Sequence, residues 1–185
     1  MVNTIRKALA GFILMPGKPV EALPEIPYLP DAVILRACAL RGYSGKEEPS
    51  RFMVLPGHEE ADILRHLRSV IVEHEAPPAK VRYPDGMSLV VFRGVFGSGG
   101  YGLDVRSVGF EGSVLRVECD FENPGDGIRT TAGFTQPAAI IPLKRLPEGT
   151  YHARLMVRQL CRSSQGVREE APSREWARLK FKVCA

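Results

Sequence analysis

The sequence predicts a mainly β protein, an immunoglobulin-like antiparallel β-sandwich with one amphipathic helix. Three observations predict it. Leu115, Val117, Cys119 and Phe121 alternate with Arg116, Glu118 and Asp120, the period of a strand with one buried face. The same alternation recurs at Tyr151, Ala153, Leu155 and Val157, and again at Ala177, Leu179, Phe181 and Val183. Finally, Leu146-Pro147-Glu148-Gly149-Thr150-Tyr151 has the form of a tyrosine corner, where a hydroxyl at the start of a strand ties back to the turn before it.

The chain has 185 residues, enough for one ordinary domain with a real core, and its 44% hydrophobic and 25% charged residues mark a globular chain. We divide it into an N-terminal leader or extended proline-rich segment, 1–31, and a single β-sandwich domain, 32–185, that includes the helix. The net charge of +4 comes from 25 basic and 21 acidic residues interspersed, so nucleic acid is not the expected partner. No stretch reaches transmembrane length.

Arg6 and Lys7 precede the apolar run Ala8–Met15, and Val20-Glu21-Ala22 has the form of a signal-peptidase site, so export is slightly favoured over a cytoplasmic location. A strand or short helix in the mature chain would have the same sequence. Pro24, Pro27 and Pro30 favour an extended connector. Strands follow at Ala32–Leu40 and Arg51–Leu55, separated by a turn at Gly42–Gly45. Residues 59–73 carry the clearest helical period: Ile63, Leu64, Leu67, Val70 and Ile71 make one stripe, and Ala76-Pro77-Pro78 ends it. His58, His66 and His74 are eight residues apart, roughly 12 Å along a helix, too far for one metal ion to touch all three.

Beyond the helix the pattern is β. Ser88–Phe92 reads as a doubly buried strand and leads into Arg93–Gly102, a glycine-rich turn, after which Leu103–Val108 alternates. Asn123–Gly127 is strong turn chemistry, Thr130–Pro137 a loop, and Ala138–Ile141 a strand. Residues 162–174 read as a polar loop between the last two strands. If those strands pair, Arg154, Arg158, Arg178, Lys180 and Lys182 form a basic outer face, with Trp176 also outward. Cys38, Cys119, Cys161 and Cys184 form no CxxC pair; Cys119 reads as a buried thiol, and disulfides among the others stay open. There is no GxSxG, HExxH or Walker loop, so no catalytic, cofactor or metal-binding residues are assigned.

From Ser44 to about Leu146 the chain resembles the PrcB-type protease-complex subunit family, in particular its C-terminal domain. The resemblance runs through Ser44-Gly45 and Glu48-Pro49, the helix, the strand Met87–Phe92 with Gly99-Gly100-Tyr101, and Thr135-Gln136-Pro137 before Ala138–Ile141. Gly97-Ser98 stands where the family usually has Pro-Thr, and the lipoprotein cysteine of some members is missing. The resemblance implies a non-catalytic module associated with secreted proteases. Gly100-Tyr101 is also similar to the Thr-Gly-Tyr loop of chagasin-like protease inhibitors.

The expected function is therefore protein binding, with a protease as the partner, through Gly97, Ser98, Gly99, Gly100 and Tyr101. A glycine-rich tip can enter a concave site backbone-first, and a tyrosine supplies an amphipathic anchor. The alternatives are a polyanion- or carbohydrate-binding sheet that uses the basic face, or a purely structural domain.

Overall fold

The computed structural model describes residues 34–37, 51–82, 86–144 and 146–184, the first of these as backbone only. The expected leader, the turn at 42–45, Cys38 and most of the strand at 32–40 lie outside the described residues. The elements are β1 (Ile34–Ala37), β2 (Arg51–Pro56), α1 (Glu60–Val72), β3 (Lys80–Arg82), β4 (Met87–Phe92), β5 (Phe96–Ser98), β6 (Gly102–Glu111), β7 (Val114–Pro124), β8 (Ala132–Thr135), β9 (Pro137–Leu143), β10 (Gly149–Ser163) and β11 (Gly166–Cys184).

The strands form three open sheets, in the orders β1-β9-β4-β2, β3-β11-β10-β7-β6 and β5-β8. All six residues of β4 are buried, because this strand is covered on both faces. On one face Leu89 and Val91, with Val54, Ala139 and Ile141, share a core with Leu115, Val117, Leu155 and Phe181 of the five-stranded sheet. On the other, Val90 and Phe92, with Met53, Leu55 and Ile140, meet Ile63, Leu67, Val70 and Ile71 of α1. The order of layers is thus helix, four-stranded sheet, five-stranded sheet.

The helical stripe is where its period places it. A 13-residue helix is marginal alone, so these four buried side chains, at about 2 kcal/mol each, hold α1 in place. The helix stops at Val72, before the prolines, and His74 then takes a left-handed conformation with φ 57°. Ser88, fully buried, donates from Oγ to Gly57 O at 2.9 Å and ties β4 to the turn that enters the helix. The tyrosine corner is present: Tyr151 donates from its hydroxyl to Pro147 O at 2.8 Å, and its ring stacks on Phe181. Cys119, Cys161 and Cys184 are free thiols. Burial pushes the Cys119 thiol up to about 12, which suits an inert core residue.

Three expectations are corrected. The five-stranded sheet is mixed, not antiparallel, because β10 runs parallel to β7 and β11 parallel to β3. Residues 162–174 are not a loop: the last two strands extend into one long hairpin that turns at Ser164-Gln165, with Gly166 at φ 124°. Their polar composition misleads because this part of β11 is solvent-exposed on both faces. Trp176 is exposed, at 36%, but does not share the face of the lysines. A register break beside Leu155 and Met156 leaves it unpaired, and its ring meets the edge of the buried Phe121 at 5.5 Å.

Where β7 ends, Gly125 lies against β10 and donates from its N–H to Arg162 O at 2.7 Å. A Cβ here would sit 2.4 Å from Cys161 Sγ and 2.9 Å from Arg162 O. Because a backbone atom is among the obstacles, Gly125→Ala is expected to destabilise the fold by about 2 kcal/mol, read as a shift in the urea midpoint.

Candidate functional site

The glycine-rich segment is not a simple turn between β4 and β6. Its first half folds into β5, which pairs with β8 across a register irregularity, Phe96 opposite Thr135 and Ser98 opposite Ala132. Gly99 donates from its N–H to Thr131 O at 2.9 Å, and Thr135 donates from Oγ1 to Ser98 O at 2.7 Å. The result is a small ribbon. Gly100 needs its glycine: φ is 87°, and a Cβ would crowd Thr130 and Pro124 at 3.0 and 3.1 Å.

Of the predicted contact residues, Gly97 and Gly100 are exposed, Ser98 is half-buried and Gly99 is buried. Tyr101 is half-buried and stacks on Phe96, with ring centroids 3.9 Å apart and planes within 10°. The exposed apolar side chain of the ribbon is Phe134 on β8, at 58% exposure. Gly97 and Gly133 flank it with no atom within 4 Å of an added Cβ. No Asp, Glu, Lys or Arg occurs in 94–103 or 130–143, so covering this surface buries no charge.

Sequence reasoning missed the residue that holds the ribbon. Arg93 is 5% exposed. One guanidinium nitrogen donates to Gly102 O and Glu122 O at 2.7 and 2.6 Å, and a second donates to Asn123 Oδ1 at 2.5 Å. Its carbon lies 5.0, 5.2 and 5.1 Å from the ring centroids of Phe96, Tyr101 and Phe121. Burial lowers its pKa to about 10, against smaller opposing effects of Tyr101 and Glu122. A readable signal existed: Arg93 is the sole charged residue between Met87 and Leu103.

These elements decide the comparison with known proteins. Residues 87–144 match the PrcB C-terminal family. The PrcB-matched segment begins at β4 and ends just after β9, so it contains Arg93, the whole ribbon and Phe134. The earlier part of the expected resemblance, from Ser44 through α1, lies outside it, as does the β10–β11 hairpin. No curated protein and no solved structure matches the chain. Among the described residues no group of three or more His, Cys, Asp or Glu could hold a metal ion, and no helix is long and apolar enough to cross a membrane.

The predicted basic face carries carboxylates that its sequence spacing did not reveal. Arg158 makes two hydrogen bonds to Asp120, at 2.9 and 2.6 Å, and Arg106 reaches the same carboxylate at 3.0 Å. Glu175 bonds Arg178 and lies 3.7 Å from Arg154. Lys180 and Lys182 have no carboxylate partner among the described residues. At Arg154, Arg158 and Arg178 a polyanion would have to displace bonds already made, which weakens this face as its binding site. Hydrogen bonds from Arg178 and Arg162 hold the Glu175 and Glu122 carboxyls below their ordinary value of 4.5. A lowered folded pKa gives stability that is present above the unfolded value and lost as pH falls through the folded one. The urea midpoint is therefore expected to fall as pH drops below about 4.5, and to fall less when Arg162 and Arg178 are both replaced by methionine.

Proposed function

We propose that the chain is a non-catalytic protein-binding module whose contact surface is the β5–β8 ribbon and whose partner is a protease that it stabilises or restrains. The observation that carries this reading is the ribbon itself: an uncharged surface with Phe134 exposed between two bare glycines, on a base fixed by Arg93. Rigid placement lowers the ordering cost of binding, and an aromatic side chain is the usual anchor of such contacts. The match of 87–144 to the PrcB C-terminal family supports the partner class. The same reading takes the two facing sheets as an immunoglobulin-like sandwich, supported by the Tyr151 corner and the shared core.

Affinity capture from the native source tests it, with wild type compared against Phe134→Ser and Gly97→Glu. Both positions are exposed, and circular dichroism of each variant checks that the fold is kept. Wild type is expected to enrich a protease, and each variant to lose it at least tenfold. Absence of any protease, or equal capture by the variants, would sink the reading.

A further inference from the structure

We propose that the β10–β11 hairpin braces the β5–β8 ribbon, with Arg93 as the positioning residue that joins them. The ribbon cannot place itself. Its strands have three and four residues, and a two-stranded ribbon is marginal in water without support. Its base is Arg93, which holds Gly102 O and lies beside the stacked rings of Phe96 and Tyr101. On its other side Arg93 touches three residues of β7: the Phe121 ring, Glu122 O and Asn123 Oδ1.

β11 grips two of these β7 residues, Phe121 and Asn123. Trp176 meets the Phe121 ring at 5.5 Å, and Asn123 donates from Nδ2 to Glu170 Oε2 at 2.8 Å. Trp176 and Glu170, like Pro172 and Ser173, are skipped in the β10–β11 register. Leu155 pairs with Ala177 and Met156 with Glu175, which passes over Trp176; Gln159 pairs with Ala171 and Leu160 with Glu169, which passes over Glu170. An extra residue in a strand re-aims its side chain. Two of the irregularities in β11 thus supply the two side chains that reach across β10 to β7. The hairpin is outside the segment that matches the PrcB family, so this chain adds the brace to the ribbon from elsewhere in its sequence.

The brace needs no partner to be tested, so its failure and that of the binding reading are separable. The probe is hydrogen exchange of the Gly99 amide, which donates within the ribbon to Thr131 O at 2.9 Å. Glu170→Ala and Trp176→Leu are each expected to speed this exchange about fivefold, the factor for one lost net hydrogen bond or ring contact. Arg168→Ala, on the same exposed hairpin, is expected to leave it unchanged. In an Arg93→Lys background Gly99 is expected to exchange fast already, and Trp176→Leu to add nothing. Unchanged protection in Glu170→Ala and Trp176→Leu, or a Trp176→Leu effect of full size in the Arg93→Lys background, would overturn the proposal.

Discussion

Arg93→Met is expected to lower the stability of the protein by about 3 kcal/mol, and Arg93→Lys by about 2 kcal/mol. Gly102 O, Glu122 O and Asn123 Oδ1 all point at one guanidinium. Methionine fills the space beside the three rings and leaves all three oxygens without that donor. Lysine keeps the charge, but a single ammonium cannot reproduce the planar fork that serves two oxygens from one nitrogen and a third from another. The burial is costly in itself, since it lowers the arginine to about 10. For a base with a lowered folded pKa, the unfolded chain holds the extra proton from about 10 up to the ordinary arginine value, so this contribution to stability rises with pH across that window and is flat below it. Acidification from pH 8 to 5 is thus expected to leave the difference between wild type and Arg93→Met unchanged. Urea denaturation followed by circular dichroism measures both differences. A loss under about 1 kcal/mol for Arg93→Met would show that the ring stack and the β5–β8 pairing hold the ribbon without the anchor.

What the sequence makes legible follows from the range of the interactions. The helix can be read because its stripe is local: Ile63, Leu67, Val70 and Ile71 all enter one core. β4 can be read because a strand covered on both faces has no polar side to interrupt its run. The tyrosine corner spans four residues and is found where it is expected. The ribbon is not legible in this way. β5 has three residues, and its partner strand is 37 positions away at the Ser98–Thr135 bond, so glycine content reads as a turn. The hairpin misleads for the opposite reason. Its distal half is a strand without a buried face, and hydrophobic period is the primary signal of a strand in a single sequence. The register breaks that turn Trp176 and Glu170 toward β7 leave no mark in the alternation at all. The basic face is a related case, since Arg158 and Asp120 are 38 residues apart and meet only because β10 lies parallel to β7.

The two cores on either side of β4 predict a second large effect. Phe92→Ala is expected to cost about 4 kcal/mol, because the ring is fully buried in the core under α1 and its removal leaves a cavity that the sheet cannot close. Leu89→Ala, three residues earlier on the same strand, is expected to cost about 3 kcal/mol, but in the core between the two larger sheets. The totals are similar and the locations differ. Loss of Phe92 removes support from a helix held by four side chains, so the amides of Leu67 and Val70 are expected to exchange faster at conditions where those of Val117 and Leu155 stay protected. Loss of Leu89 is expected to act in the reverse order, on β7 and β10 first. Native-state hydrogen exchange of the two variants separates these outcomes. If both substitutions release the same amides by the same factor, β4 joins its two faces into one cooperative unit, and opening at the helix would then spread through Arg93, the residue next to Phe92, into the base of the ribbon.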